Sequence, residues 1–145
     1  MYVYSPEYVA ENTTPYYSGQ LGNPQRADVD QYGTLYLADW SDSHSGVFLV
    51  DPANVSGGMT AFFQGTANDK GLITNNGVEV ASGTPGVDIW GKGKDTELYV
   101  YCEDEGTTLP ANSVYMYAIG NEDGTLKSTW GDAPTKVYSL KQANG

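Results

Sequence analysis

The chain has 145 residues, 18 of them glycine and 12 tyrosine, and its formal net charge is −11. This length suits a single domain, and so acidic a chain is disfavoured as a partner of nucleic acid or anionic membranes because like charges repel. No apolar run approaches the length of a membrane-spanning helix. Since aromatic residues suit strands and glycine suits tight turns, the composition favours β-structure.

Two residues with reactive side chains occur once each. Cys102 is the only cysteine, which rules out an intrachain disulfide, and it ends the strand-like run 98–102. We expect its thiol to be buried as a small apolar group. The sole histidine, His44, lies in the polar segment 41–45, and the chain has no nucleophile elbow of the form Gly-x-Ser-x-Gly. The sequence therefore predicts no catalytic site at either residue.

Short segments recur along the chain. Residues 3–6, Val-Tyr-Ser-Pro, resemble the later Leu-Val-Asp-Pro at 49–52. The segment 29–33 resembles 87–91, because a valine, an aspartate, an aromatic residue and a glycine recur in the same order. Further matches join 16–17 with 62–63, 35–37 with 98–100, 47–50 with 114–117, and Phe63 with Trp130. Their spacing changes only across turns, notably near 92–96, as homologous modules require, since paired strands do not tolerate insertions.

Each complete module is predicted to contain four short strands separated by turns. The predicted strands are 27–30, 34–39, 47–50 and 59–64, then 87–90, 97–103, 114–119 and 126–130. The beginning of the chain supplies only a third and a fourth strand, at 2–4 and 16–18. The organisation is therefore half a module (1–22), a module (23–70) and a module with insertions (71–145), in which 72–82 is a loop or an extra hairpin.

The predicted fold is all-β, with blades of four antiparallel strands of the β-propeller type. The run 47–50, Val-Phe-Leu-Val, is apolar on both faces of a strand. Such a strand belongs to a sheet buried on both sides, which stacked blades provide. A sandwich with one wet face would show cleaner alternation of polar and apolar residues.

Val29, Asp30, Gly33, 35–39 and 47–50 follow one another in the order of a known repeat. The span 29–50 resembles an NHL-type or related six-bladed β-propeller repeat, and His44 corresponds to a histidine often present between its second and third strands. The later copy departs from the pattern, with Glu103 where Asp39 stands. The resemblance implies a propeller fold and no particular activity. A closed propeller needs about 4–8 blades, so we expect an incomplete propeller, one completed by oligomerisation, or another stacked β arrangement.

Acidic residues cluster at 28–30, 39–42 and 103–105. Carboxylates are ligands for hard cations such as calcium, although none of these clusters has the spacing of a calcium-binding loop. The alternative is that Asp30 and Asp88 bind backbone N–H groups in turns. Asp30 and Asp88 are thus the candidate metal ligands, with calcium the only candidate cofactor.

The three tryptophans are candidates for contact with a sugar ring. Trp40 stands beside Asp39 and Asp42, which supply acceptors for sugar hydroxyls, and Trp90 precedes a turn glycine. Trp130, which aligns with Phe63, is expected to pack in the core. The tentative ligand-binding residues are therefore Trp40, Asp39, Asp42 and Trp90.

The functional prediction is a non-catalytic module, secreted, periplasmic or on a cell surface, that binds a protein or glycan partner. A repeated scaffold with polar, glycine-rich loops and no reactive cluster favours it. The alternatives are part of a propeller hydrolase or lactonase with a metal in its central channel, and a structural unit of an assembly. Further blades of a parent protein, or further copies of the chain, are the partners that would complete a ring.

Overall fold

The structure is a computed structural model, and it describes residues 2–3, 17–18, 24–40, 46–51, 53, 59–63, 73–75, 78–81, 86–103, 112–131 and 133–140. Within these ranges the regular elements are β-strands, apart from one short 3-10 turn at Gly93–Asp95. The prediction of an all-β fold is therefore confirmed.

The first half of the chain contains a two-stranded and a four-stranded antiparallel sheet. β1 (Tyr2–Val3) pairs with β2 (Tyr17–Ser18), where the sequence predicts the strands of the half module. The first large sheet follows, with neighbouring strands paired in chain order. Its strands are β3 (Pro24–Val29), β4 (Leu35–Asp39), β5 (Gly46–Val50) and β6 (Thr60–Ala61).

The second half repeats this arrangement after a small insertion. β7 (Ile73–Asn75) and β8 (Val78–Ala81) form an antiparallel pair, so the segment 72–82 contains the extra hairpin rather than only a loop. The second large sheet is again a four-stranded meander. Its strands are β9 (Gly86–Trp90), β10 (Glu97–Cys102), β11 (Ser113–Ala118) and β12 (Lys136–Ser139).

The fourth strand of the second sheet lies ten residues beyond its predicted start at 126, since β12 begins at Lys136. The prediction of a strand at 126–130 is wrong because that segment bends towards the first sheet. The backbone N–H of Trp130 donates to the carbonyl of Phe62 at 2.7 Å, and Phe63 and Trp130 form an isolated parallel bridge. The alignment of Trp130 with Phe63 reflected a contact between the modules and not an equivalence.

The turn after β3 has a defined chemical cause. One carboxylate oxygen of Asp30 accepts the backbone N–H groups of Tyr32 at 2.8 Å and of Thr34 at 2.9 Å. Gly33 adopts a φ of 87°, a left-handed conformation that glycine adopts at little cost. This local network, encoded within five residues, positions Asp30 and Tyr32 at one end of the first sheet.

The strand registers define which residues are equivalent in the two sheets. Leu35 lies opposite Val50, and Leu98 lies opposite Tyr117, as the sequence match of 35–37 and 47–50 with 98–100 and 114–117 requires. Those two matches are therefore confirmed.

The sequence match makes Asp88 the equivalent of Asp30, and the strand registers show that this match is wrong by two positions. Asp28 lies opposite Tyr36 and Asp88 lies opposite Tyr99, so Asp88 is the equivalent of Asp28. The error arose because the longer connection between β9 and β10 moves the turn glycine relative to the strands.

The two large sheets stack with opposite faces in contact. Tyr36 and Leu49 of the first sheet belong to the core that the sheets share, whereas their equivalents Tyr99 and Met116 point away from it. On the far side of the first sheet, Leu37, Phe48 and Val50 form a second buried cluster. Each sheet therefore repeats the orientation of the one before it, as in a stack of identical units, and the two do not face each other as in a sandwich.

The shared core widens from one edge to the other. At the narrow edge β3 and β9 are joined directly, because a carboxylate oxygen of Asp28 accepts the backbone N–H of Ile89 at 2.6 Å. At the wide edge the Phe63 and Tyr117 rings lie 5.0 Å apart between centroids, and Trp130 lies 5.4 Å beyond Tyr117. These rings fill the space between the sheets at an edge where, unlike at β3 and β9, the strands of the two sheets make few close backbone approaches, so this space is wedge-shaped.

Candidate functional site

A cleft lies between the two large sheets where the turn 30–34 meets the segment 125–128. We call it the inter-sheet cleft, and its volume is about 350 Å³. That volume lies within the usual range for sites of small molecules. The first sheet contributes Asp30, Tyr32, Thr34, Tyr36 and Leu49, and the second module contributes Thr125, Leu126, Lys127 and Ser128.

Asp30 and Tyr36 form the buried wall of the inter-sheet cleft. Asp30 is only 7% exposed and Tyr36 1%. Burial, followed by the charge of Asp30 and a hydrogen bond to it, raises the pKa of the Tyr36 hydroxyl well above its usual value. The tyrosine therefore remains a neutral hydrogen-bond donor to the carboxylate.

Tyr32 and Lys127 form the accessible wall. The Tyr32 side chain is 58% exposed, yet its hydroxyl donates to the carbonyl of Gly124 at 2.8 Å, which fixes the ring across the cleft. The Lys127 ammonium group donates to the carbonyl of Ala118 at 3.1 Å and lies 4.5 Å from the centre of the Trp130 ring. An immobilised aromatic face thus lies beside a held cation and a buried carboxylate.

The second notable surface is the side of the second sheet that points away from the shared core. We call it the open face. Its groove has a volume of about 490 Å³ and is lined by Asp88, Trp90, Glu97, Tyr99, Lys136 and Tyr138. Trp90 is 63% exposed and Tyr138 43%. The Tyr99 hydroxyl donates to a carboxylate oxygen of Glu97 at 2.6 Å, and this bond is the main reason that the pKa of Tyr99 is raised to about 12.

A pair of aspartates lies at the narrow edge between the sheets. Burial and the neighbouring Asp28, which is close enough to hydrogen-bond, raise the pKa of the Asp88 carboxyl, and Arg26 partly opposes them. Asp28 is also bound by the N–H groups of Val29 and Ile89. Asp28 has no signal in the sequence that links it to Asp88, because only the strand register shows that the two are equivalent.

The predicted metal ligands do not share a cavity. Asp30 lines the inter-sheet cleft, while Asp88 lines the groove of the open face and a neighbouring cavity that includes Arg26. Among the residues that the structure describes, no group of three or more histidine, cysteine or acidic side chains is arranged to hold a metal ion. Asp30 instead binds backbone N–H groups, as its alternative interpretation as a turn anchor expects.

The predicted sugar-binding residues are dispersed. Asp39 is fully buried within β4, and Trp40, which follows it, is 42% exposed. Trp90 lies on the open face. Asp42 and His44 lie outside the described residues. Cys102 is buried in the shared core, as expected from the sequence.

Tyr32 and Lys127, by contrast, could not be selected from the sequence as members of one site. The sequence places Tyr32 in a turn, and it predicts that the segment of Lys127 is a strand. Their proximity depends on the stacking of the two sheets, and a hydrogen bond between residues 32 and 124 has no local sequence signal.

Comparisons with protein-family models, with curated proteins and with solved structures gave no match to this chain. Within the described part of the chain, no helix has the length and apolar character needed to cross a membrane.

Proposed function

We propose that this chain is a non-catalytic module of β-propeller-type blades, exported from the cell or displayed on its surface, and that it binds a glycan in the inter-sheet cleft. The blade interpretation is supported by the repeated orientation of the two meander sheets and by the wedge between them. Sheets that repeat one orientation and splay at one edge are arranged around an axis on their narrow side, as propeller blades are. The NHL-type resemblance of residues 29–50 agrees with this proposal.

The observation that carries the binding proposal is the fixed ring of Tyr32 beside Asp30 and Lys127 in one cleft. A sugar ring has an apolar face that stacks on an aromatic side chain, and hydroxyl groups that bind charged and polar groups at its edge. Because the Tyr32 ring is held before a ligand arrives, little conformational entropy would be lost on binding. The exposed Ser128 lines the same cleft and carries a further hydroxyl group.

A glycan array followed by calorimetry of the best ligand tests this proposal. We expect Tyr32→Ala to weaken binding about tenfold, which corresponds to about 1.4 kcal/mol. Tyr32→Phe should have an intermediate effect, because the ring remains but the hydrogen bond to Gly124 that holds it is lost. Trp40→Ala is the matched control, since Trp40 is an exposed aromatic residue that does not line the cleft. An array without ligands, or binding lost with Trp40→Ala and kept with Tyr32→Ala, would contradict the cleft assignment.

The rival function is a metal-dependent propeller hydrolase that uses Asp30 and Asp88. Asp88 lies close to Asp28 at the narrow edge, so the carboxylate beside it is that of Asp28 and not that of Asp30. Metal analysis of gently purified protein separates the two functions. A stoichiometric calcium ion that is lost in Asp88→Asn would favour the hydrolase over the glycan-binding module.

A further inference from the structure

The open face of the second sheet carries a compact group of acidic and aromatic side chains. Asp88 lies directly opposite Tyr99, and Trp90 lies directly opposite Glu97, on the paired strands β9 and β10. Because side chains two residues apart in a strand point to the same side of the sheet, all four line one groove. Residues opposite each other on paired strands have β-carbons only about 5 Å apart. We call these four residues the acidic–aromatic patch.

The patch combines an accessible ring with a fixed carboxylate. Trp90 is the most exposed of the large apolar side chains that the structure describes. One oxygen of the Glu97 carboxylate accepts the hydroxyl of Tyr99 at 2.6 Å, which holds this side chain in place. A carboxylate has about four acceptor positions, so Glu97 keeps others for a ligand. The face of an indole ring and a carboxylate both attract positive charge, so a cation is the group that suits the two together.

The lysine of the groove does not neutralise the patch. Lys136 belongs to β12, and β11 lies between β12 and β10 in the sheet. At about 4.8 Å for each strand, the backbone of Lys136 is about 10 Å from β10 and about 14 Å from β9. Within the described part of the chain, its ammonium group makes no ion pair with Asp88 or Glu97. The patch therefore keeps an excess of negative charge, which the net charge of −11 reinforces.

The geometry of the patch favours one kind of cation. The indole ring of Trp90 is open to solvent and no cage encloses it, so a compact, strongly hydrated ammonium ion would gain little there. A guanidinium group is planar and more weakly hydrated. It can stack on the indole ring while the N–H groups at its edge donate to carboxylates. Arginine therefore uses the ring and the acidic groups of the patch at once, and it is enriched in protein interfaces.

We propose that the acidic–aromatic patch binds an arginine side chain that a basic segment of a partner protein presents. The guanidinium group stacks on Trp90 and donates to Glu97 and Asp88. Such a partner matches the sign of the patch and of the whole chain, whereas an acidic partner would be repelled by both. The remainder of the groove, which includes Tyr138, offers contact surface to the rest of that segment. The site does not depend on the proposed glycan site, because no residue lines both the groove and the inter-sheet cleft.

A nuclear magnetic resonance titration of the isotope-labelled full chain tests the proposal. The probe is the capped peptide Gly-Arg-Gly-Arg-Gly, and its counterpart with citrulline in place of arginine has the same shape without the charge. We expect the indole N–H signal of Trp90 to shift and saturate with the arginine peptide and to stay in place with the citrulline peptide. The indole signals of Trp40 and Trp130 are internal references, since neither ring lines the groove. An arginine peptide that leaves the Trp90 signal in place, or a citrulline peptide that shifts it equally, overturns the proposal.

Two variants test the assigned contacts. Glu97→Gln removes the charge but keeps an acceptor for the Tyr99 hydroxyl, and it should weaken binding of the arginine peptide about fivefold. Trp90→Leu should also weaken binding about fivefold, measured from the amide signals of β9 and β10. Glu122→Gln is the matched control, since it removes the same charge at an exposed glutamate outside the groove, and it should bind like the wild type.

The dispersion of the amide signals shows in the same spectra that each variant is folded. A Glu97→Gln variant that binds the arginine peptide as tightly as Glu122→Gln does would contradict the proposal. The glycan measurements with Tyr32→Ala concern the inter-sheet cleft, so the outcome at one site leaves the outcome at the other intact.

Discussion

Asp30 shows how one buried side chain can organise a turn and a cleft together. Its carboxylate accepts two backbone N–H groups and is close enough to hydrogen-bond with Tyr36, so its removal would leave several buried polar groups without partners. The sequence indicated the turn correctly, but the neighbouring tyrosine that completes the network became evident only from the sheet.

We expect Asp30→Ala to lower the free energy of unfolding by about 2 kcal/mol, because buried donors lose a charged acceptor. Asp30→Asn, which keeps one acceptor oxygen, should cost less. Asp51→Ala is the matched control, since Asp51 is exposed and accepts one backbone N–H, from Ala53 at 2.8 Å. Urea unfolding measures the free energy of unfolding of these three variants. Equal losses for Asp30→Ala and Asp51→Ala would contradict the role assigned to Asp30.

The raised pKa of Asp88 predicts how the stability of the protein depends on pH. Its pKa is raised in the folded protein by burial and by Asp28, so the folded state binds this proton more tightly than the unfolded state. The resulting stabilisation is complete below the unfolded pKa of about 3.9 and is lost as the pH rises through the raised value. We therefore expect Asp88→Asn to be more stable than the wild type at neutral pH, with the difference vanishing in acid.

Asp123 provides a control of opposite sign. Hydrogen bonds from the hydroxyl and the backbone N–H of Thr125 lower the pKa of this carboxyl. Asp123→Asn should therefore be less stable than the wild type at neutral pH, and this difference should also shrink in acid. Urea unfolding of both variants at several pH values is the measurement. Two variants that shift in the same direction would refute the assigned causes.

At the scale of elements, the connection between β9 and β10 depends on a close approach of backbone to backbone. Gly91 has a φ of 88°, and a β-carbon placed there would lie 2.1 Å from the carbonyl oxygen of Asp95. The residues that follow form the short 3-10 turn Gly93–Asp95. The equivalent strand pairs Val29–Leu35 and Ile89–Leu98 enclose residues 30–34 and 90–97. An insertion is therefore present where the sequence predicts one, but it adds three residues and not the five that the sequence match indicates.

We expect Gly91→Ala to destabilise the protein by about 2 kcal/mol or more, because the left-handed conformation and the contact with Asp95 both oppose a β-carbon. Gly131→Ala is the control, since a β-carbon at Gly131 meets no atom within 4 Å. Thermal unfolding of both variants measures this difference in stability. If Gly91→Ala melted at the same temperature as the wild type, the turn would accommodate a β-carbon without loss of stability, which contradicts this prediction.

At the scale of the whole molecule, the two large sheets share one core. Leu98 and Val100 of the second sheet pack in the same cluster as Tyr36 and Phe62 of the first, and all four are buried. A chain in which each sheet had its own core would allow one to unfold without the other. Here each sheet covers apolar surface of its neighbour, so we expect the two to unfold together.

Two tryptophans can report on this cooperativity separately. Trp40 follows a strand of the first sheet and Trp90 ends a strand of the second. Variants that retain one or the other, with the remaining tryptophans replaced by phenylalanine, should give superimposable fluorescence transitions in urea. Leu98→Ala should shift both transitions equally, with a loss of about 2–5 kcal/mol from the shared core. Separate midpoints for the two probes would indicate independent sheets.

The amino-acid sequence is enough to predict the all-β class, most of the strands and the equivalence of 35–37 and 47–50 with 98–100 and 114–117. It could do so because strand patterns and turn residues act over a few neighbours, and paired strands do not tolerate insertions. Only the stacking of the sheets shows that Trp130 bridges them instead of forming a strand, that Asp88 corresponds to Asp28, and that Tyr32 and Lys127 line one cleft. These facts depend on how one sheet lies against another, a relation between distant residues that no local pattern records.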